Sequence, residues 1–461
     1  MGGGRGRPPG RPLPARHRPG GRRGRRHHRA GPAGGELSAA PGARRRILPD
    51  LSPLRDSREY RLLYNGQLVS FLGRQVTVVA VPLQVFLLTD SSLAVGLLGI
   101  AQLVPLLAFS LVGGAVADAV DRRKLLLVTQ ALLALTSVGL ALNAMTDDPA
   151  VWPLYVLTGA AAGLSAIDSP TRTAAIPGLV RREQLPAALA LNQVLYQVGG
   201  VVGPAVGGVA IARFGFAAAY WIDTASFAAA AVAVVRMRPM VPEGGGTKAG
   251  LASVAEGFRF LKGRRALQGT FVIDVNAMVF GMPRALFPAL GTEVFGGGAT
   301  TVGLLNAAPG AGALVGALTT GWVSGVRRPG VAVLWAVTVW GIAIAGFGAV
   351  PWLPLGLVLL AVAGAADVVS AVFRNTILQL EVPDRLRGRL SAVHIAVVTG
   401  GPRLGDAEAG AVAAVTTPRF SVVSGGLACV AGVLVIARLM PQLAAWRPPP
   451  EPEPAAAPAS A

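Results

Sequence analysis

Ionisable side chains set inside apolar runs are where this chain could do chemistry. Asp406 and Glu408 lie about two-thirds of the way along an apolar stretch over 390–415, and Arg403 precedes Asp406 by three residues. An ionisable group at the centre of a bilayer costs at least about 2.5 kcal/mol on insertion scales, so each one asks for a functional explanation. A carboxylate held there can take up and release a proton. Arg403 and Asp406 are one helical turn apart and can pair. Glu408 faces another direction and is the freer of the two to titrate. These three form the candidate proton-coupling group, with an intrahelical ion pair that plays no part in transport as the alternative. Arg74, Gln75, Asp274, Asn276, Asp367 and Arg374 sit at depths suited to lining a cavity, whereas Asp223, near an outer end, reads as marking an interface.

Other chemistries find few residues to build on. His394 is the only histidine beyond the first 28 residues, and the single cysteine, Cys429, lies in an apolar run. No metal site, intramolecular disulfide or bound cofactor is expected. A membrane enzyme would need His or carboxylate clusters at ligand spacing on one membrane face. The three lysines, Lys124, Lys248 and Lys262, never follow glycine, so the phosphate loop of an ATP-driven pump is missing. The chain is not read as an enzyme.

The elements that position these residues are spans. Of 461 residues, 52 % are hydrophobic and 14 % charged, against about 25 % charged in a typical soluble domain. Apolar stretches near 20 residues recur, each long enough to cross about 30 Å of hydrocarbon. They fall at 61–88, 93–117, 125–145, 152–172, 186–212 and 216–235, then at 266–290, 302–323, 331–350, 353–373, 390–415 and 420–440. The reading is an all-α polytopic membrane protein with twelve transmembrane helices in two six-helix bundles, over 59–236 and 266–441. Residues 237–265 join the bundles. There Leu251, Val254, Phe258 and Leu261 make one apolar face, which suits a helix lying on the membrane surface or a solvated linker.

Residues 1–58 carry 15 arginines and three acids, a net +12 within the chain's +19. Rich in Gly and Pro as well, this stretch cannot build a core and reads as a disordered tail. Its arginines could meet anionic lipid or nucleic acid; a solvated tail or an over-extended start is the preferred reading, so no nucleic-acid partner is assigned. No apolar region with a cleavage site follows the arginines closely, and no cleavable signal is expected. Residues 442–461 form a second, Pro/Ala-rich tail.

Twelve spans put both termini on one side. Arg122, Arg123, Lys124, Arg181, Arg182, Arg327, Arg328, Arg385, Arg387 and Arg389 fall on the side of the basic tail, while the opposite loops hold Asp90, Asp147, Asp148 and Glu293, with only Arg213 and Arg419 as clear basic residues. By the positive-inside rule both termini are cytoplasmic. The halves also repeat. Val95-Gly-Leu-Leu98 returns as Val302-Gly-Leu-Leu305 at an offset of 207, and Arg172 matches Arg374 at 202. Six spans per half give the halves one orientation, with a binding cavity between them near the midplane.

Between the second and third spans, Gly114-x-x-x-Asp118-x-x-x-Arg122-Arg123-Lys124 resembles the corresponding loop of the major facilitator superfamily, with Ala119 and Asp121 departing from the usual motif. Val79-Ala-Val-Pro-Leu-Gln84 with Thr89, Glu256-Gly-Phe-Arg-Phe-Leu261, Gly388-Arg389 and Gly405-Asp406 extend the likeness to the enterobactin-exporter-like group, over about 61–440. The resemblance implies the major facilitator fold and a cytoplasmic latch of Gly114, Asp118, Arg122, Arg123 and Asp168. In the fifth span, Gly199-x-x-x-Gly203-Pro204-x-x-Gly207-Gly208 matches the antiporter motif of exporters in the superfamily. Its glycines make a smooth face and Pro204 removes a backbone hydrogen bond, bending the helix; ordinary small-residue packing is the alternative. The region 159–163, where many drug exporters carry an arginine, holds only Gly and Ala.

These readings converge on a multi-pass carrier of the bacterial plasma membrane, monomeric, with lipid, protons and a small molecule as its partners. The expected activity is proton-coupled export of an amphipathic compound, siderophore-like or drug-like, by alternating access. An importer of a small metabolite, or a non-transporting receptor on the same fold, is the alternative.

Overall fold

In hydrocarbon every backbone N–H and C=O must find a partner inside the protein, so apolar runs of this length close into helices. The computed structural model describes residues 50–240 and 259–448, and among these no strand occurs. The first four spans are α1 (Arg58–Thr89), α2 (Ser92–Ala119), α3 (Arg122–Ala144) and α4 (Trp152–Leu179). Polar side chains start the first three where the chain leaves a turn. Ser57, Ser91 and Asp121 accept the backbone N–H of Tyr60, Ala94 and Arg123, satisfying donors that a helix start leaves open. Asp90, in the left-handed conformation at φ 49°, ends α1.

Residues 185–235 read as one continuous helix, yet they are two. At about 1.5 Å per residue such a helix would far outreach any other span. Its contacts with α1 show the reversal. Tyr60, Gln67 and Phe71 meet Ala188, Asn192 and Gly199 in parallel order, whereas Thr77 and Gln84 meet Asp223 and Tyr220 in reverse order. The turn is at Gly215, whose φ of 77° and ψ of 179° only glycine adopts readily. The two arms, 185–214 and 216–235, are α5 and α6.

The second half has α7 (Arg265–Phe280), α8 (Ala299–Leu318), α9 (Pro329–Ala349), α10 (Leu353–Glu381), α11 (Asp384–Val415) and α12 (Pro418–Leu439). Nine helical segments among the described residues are long and apolar enough to cross a membrane. Dividing the segment Arg182–Val235 at Gly215, and adding α4 and α11 with 28 and 32 residues, gives the twelve crossings.

Three spans depart from their expected form. The seventh breaks after Phe280: Gly281, Met282 and Pro283 leave the helix, a 3-10 turn covers Arg284–Leu286, and helical structure resumes to Val294. Neighbours satisfy the freed groups. Trp340 Nε1 donates to the Gly281 carbonyl at 2.8 Å, and the Ala285 N–H donates to Asp406 Oδ1 at 3.1 Å. The fourth span does not end at Arg172 but runs to Leu179, because Asp168 and Arg172 neutralise each other within it. The tenth likewise runs past Phe373 to Glu381, enclosing Arg374.

The halves touch along two seams. A Cβ placed on Gly96 in α2 would lie 2.5 Å from the Asp406 carbonyl and 3.2 Å from Gly410 Cα in α11. One placed on Gly208 in α5 would lie 2.5 Å from the Ala299 carbonyl and 2.9 Å from Gly303 Cα in α8. Gly96 and Gly303 are the glycines of the repeated Val-Gly-Leu-Leu, and Gly208 and Gly410 share the offset of 202 found for Arg172 and Arg374. The repeat therefore encodes one helix crossing twice. Both crossings lie towards the side remote from the start of α1, hereafter the far side. Contacts at Gly310 with Gly200 and Val201, and at Gly400 with Leu103, carry the seams to mid-helix. Residues 1–49, 241–258 and 449–461 lie outside the described region, and with them most of the expected surface helix in the linker.

Candidate functional site

Where the seams end, both halves wall a cavity of about 160 Å³. From the first half come Arg74, near the middle of α1, and Asp223 on α6; from the second come Arg284 on the broken turn of the seventh span, and Arg403 and Asp406 on α11. The remaining walls are largely apolar, including Val81, Leu98, Leu133 and Phe227. Asp223 Oδ2 accepts hydrogen bonds from Thr77 at 2.7 Å and Ser137 at 2.8 Å, which tie α1, α3 and α6 together. Asp406 Oδ1 takes the Ala285 N–H, joining α11 to the broken span. Arg403 Nε is buried without a partner. Among the described residues no ion pair within 4 Å joins Arg403 to Asp406, so the expected intrahelical pair is not made.

The structure sorts the candidate residues by helix face. Glu408 is half-buried and does not line the cavity. Two residues along a helix turn a side chain through roughly 200°, which separates it from Asp406. Gln75 does not line it either: its stem packs on Gly203 of α5. Asn276 faces α12, where its Nδ2 donates to the Cys429 carbonyl at 2.9 Å. Arg374 pairs with Asp274 across α7 and α10, both of them buried, and stands 3.8 Å from the partly exposed Asp367; this cluster lies outside the cavity wall. Asp223, read as an interface marker, and Arg284, which sequence reasoning missed, are the additions. The Gly281-Met-Pro283 sequence was the available signal for Arg284, since a broken span at membrane depth must line protein or a cavity.

Of the latch residues, the surroundings of Gly114 and the side chain of Asp118 lie outside the described region. Arg122 Nη1 donates to the Ala174 carbonyl of α4 at 3.0 Å. Arg123 donates to the carbonyls of Val234 and Val235, at 3.2 and 2.6 Å, closing the C-terminal end of α6. Asp168 meets neither arginine. It accepts Arg172 Nε at 2.6 Å and, from α3, Thr129 and Gln130 at 2.8 Å each. In the fifth-span motif, Gly199, Gly203 and Gly207 face Phe71, Gln75 and Val76 of α1, while Gly208 and the Pro204 carbonyl meet Gly303 of α8. One motif serves two different contacts.

Known proteins supply the frame for this site. Residues 49–451 match the family described as transmembrane secretion effector. The enterobactin exporter EntS of Citrobacter koseri is 30 % identical over 411 residues, covering 88 % of this chain and 98 % of the relative. The enterobactin exporter EntS of Shigella boydii serotype 18 is 30 % identical over 397 residues, covering 85 % and 93 %. The fold is similar to that of a bacterial homologue of the human lysosomal transporter Spinster, solved inward-facing and unoccupied, with a TM-score of 0.66 and 16 % identity over 85 % of this chain and 98 % of that one. It is similar too to a bacterial homologue of ferroportin in an inward-facing state, with a TM-score of 0.63 and 12 % identity over 84 % and 99 %. With the family match spanning residues 49–451, the chain belongs to the transmembrane secretion effectors of the major facilitator superfamily.

Proposed function

We propose that this transporter exports a small amphipathic compound, siderophore-like or drug-like, by alternating access coupled to protons. The observation that carries the reading is the midplane cavity, walled by both halves, apolar for most of its surface, and holding one carboxylate from each half in Asp223 and Asp406. The curated relatives, named as enterobactin exporters, support the direction. The loop charges support cytoplasmic termini, and with that orientation the far-side seams close the outer face. Asp406 is the first choice for the coupling proton and Asp223 the second. Gly114, Asp118, Arg122, Arg123 and Asp168 hold the cytoplasmic ends of the first half as the latch. The protein works as a monomer.

The test is a deletion strain whose metabolites are profiled inside and outside the cell. Retention of a small amphipathic compound, released again when the gene is restored, is the expected result. Failure to take up a nutrient would reverse the direction, and an unchanged profile under inducing conditions would remove the export reading.

A further inference from the structure

The charged groups that line the cavity do not balance among themselves. Three guanidinium groups, on Arg74, Arg284 and Arg403, face two carboxylates, on Asp223 and Asp406. Both carboxylates already accept hydrogen bonds from the protein, Asp223 from two hydroxyls and Asp406 from a backbone N–H. None of the three arginines has an ion-pair partner within 4 Å among the described residues. The nearby Asp367 is no cavity wall; it stands 3.8 Å from Arg374, whose close partner is Asp274, and its charge offsets that of Arg284 at a distance without an ion pair within 4 Å. A guanidinium inside a membrane protein that lacks a close ion-pair partner is expensive, and such groups mark substrate or ion paths.

We propose that the cargo carries an anionic group, a carboxylate or its equivalent, which Arg74, Arg284 and Arg403 receive in this cavity. The inference rests on the transport reading and narrows its substrate class. A guanidinium presents a planar fork of donors that matches a carboxylate in two parallel hydrogen bonds. Arg284 is the exposed member, placed on the broken turn where no regular helix constrains it. Val81, Leu98, Leu133 and Phe227 supply walls for an apolar body behind the charge. The arginines also come from both halves, α1 on one side and the seventh and eleventh spans on the other. An anion between them draws the halves together, so its binding favours the conformation in which all three reach it. A cationic compound would meet net repulsion in the same place.

The experiment uses the full-length protein in nanodiscs and three fluorescent probes with one apolar body: dansylglycine, an anion; dansylamide, neutral; and dansylcadaverine, a cation. Dansylglycine should bind at least about tenfold more tightly than the other two. Arg284→Gln should erase most of that preference and Arg284→Lys should restore part of it. Arg284 is exposed and makes no ion pair within 4 Å, so neither variant breaks a close pair. Equal binding of the three probes, preference for the neutral or cationic one, or no binding of dansylglycine up to millimolar concentration would overturn the inference. The wild-type comparison needs no variant to fold. A retained neutral metabolite in the deletion strain would keep the export reading while sinking this one.

Discussion

Asp168 and Arg172 show how a carboxylate can be buried without being a reactive group. The Asp168 side chain takes three hydrogen bonds and Arg172 is almost wholly enclosed, with Nη1 and Nη2 lacking partners. Asp168→Ala would strand that arginine, a change that costs about 3–5 kcal/mol for buried pairs. The purified variant should melt well below the wild type, and an unchanged melting temperature would show that the pair is not structural. Asp406 differs, because it faces the cavity. Asp406→Asn should cut efflux at least about tenfold, the scale of a lost charge interaction, while Glu408→Gln should stay close to wild type. The reverse ranking in an efflux assay would return the coupling role to Glu408. Ionisable residues inside spans were legible from the sequence. Which way each one faced was not, because helices apolar around most of their circumference lack the polar face that would reveal orientation. Gln75 and Asn276 turned towards neighbouring helices for that reason, and Asp223 came to sit opposite Thr77 through the fold-back at Gly215.

At the scale of elements, the glycine crossings make the sharper prediction. Gly208 approaches the Ala299 carbonyl so closely that even a methyl group must displace backbone, whereas a Cβ on Gly200 meets nothing within 4 Å. Gly208→Leu should therefore abolish efflux while the protein still reaches the membrane, and Gly200→Ala should be tolerated. Full efflux with Gly208→Leu, measured at equal expression, would mean that the α5–α8 crossing need not close. The spans were readable because about 20 apolar residues in a bilayer leave the backbone few options. The repeat of Val-Gly-Leu-Leu was readable too, but its purpose was not: contact between α2 and α11, or between α5 and α8, is a property of tertiary packing. The break in the seventh span had a local sign in Gly281 and Pro283. What made it stable was remote, namely Trp340 and Asp406 on other helices.

For the whole molecule, size decides what the described conformation can do. Sites for drug-sized ligands commonly enclose about 300–1,000 Å³, and the cavity here has about 160 Å³. A compound of several hundred daltons cannot be enclosed until the halves move apart. In the proposed cycle the far-side seams, closed here by backbone contact, leave entry to the side of the termini. Transport then requires the seams at Gly96–Gly410 and Gly208–Gly303 to open after loading. Inverted membrane vesicles place the cytoplasmic face outward and measure this transport directly, using the compound that the deletion strain retains. Energised vesicles carrying the wild-type protein should accumulate that compound, lose it on addition of a protonophore, and fail to accumulate it with Gly208→Leu. Accumulation no greater than in vesicles lacking the protein would contradict export by this chain.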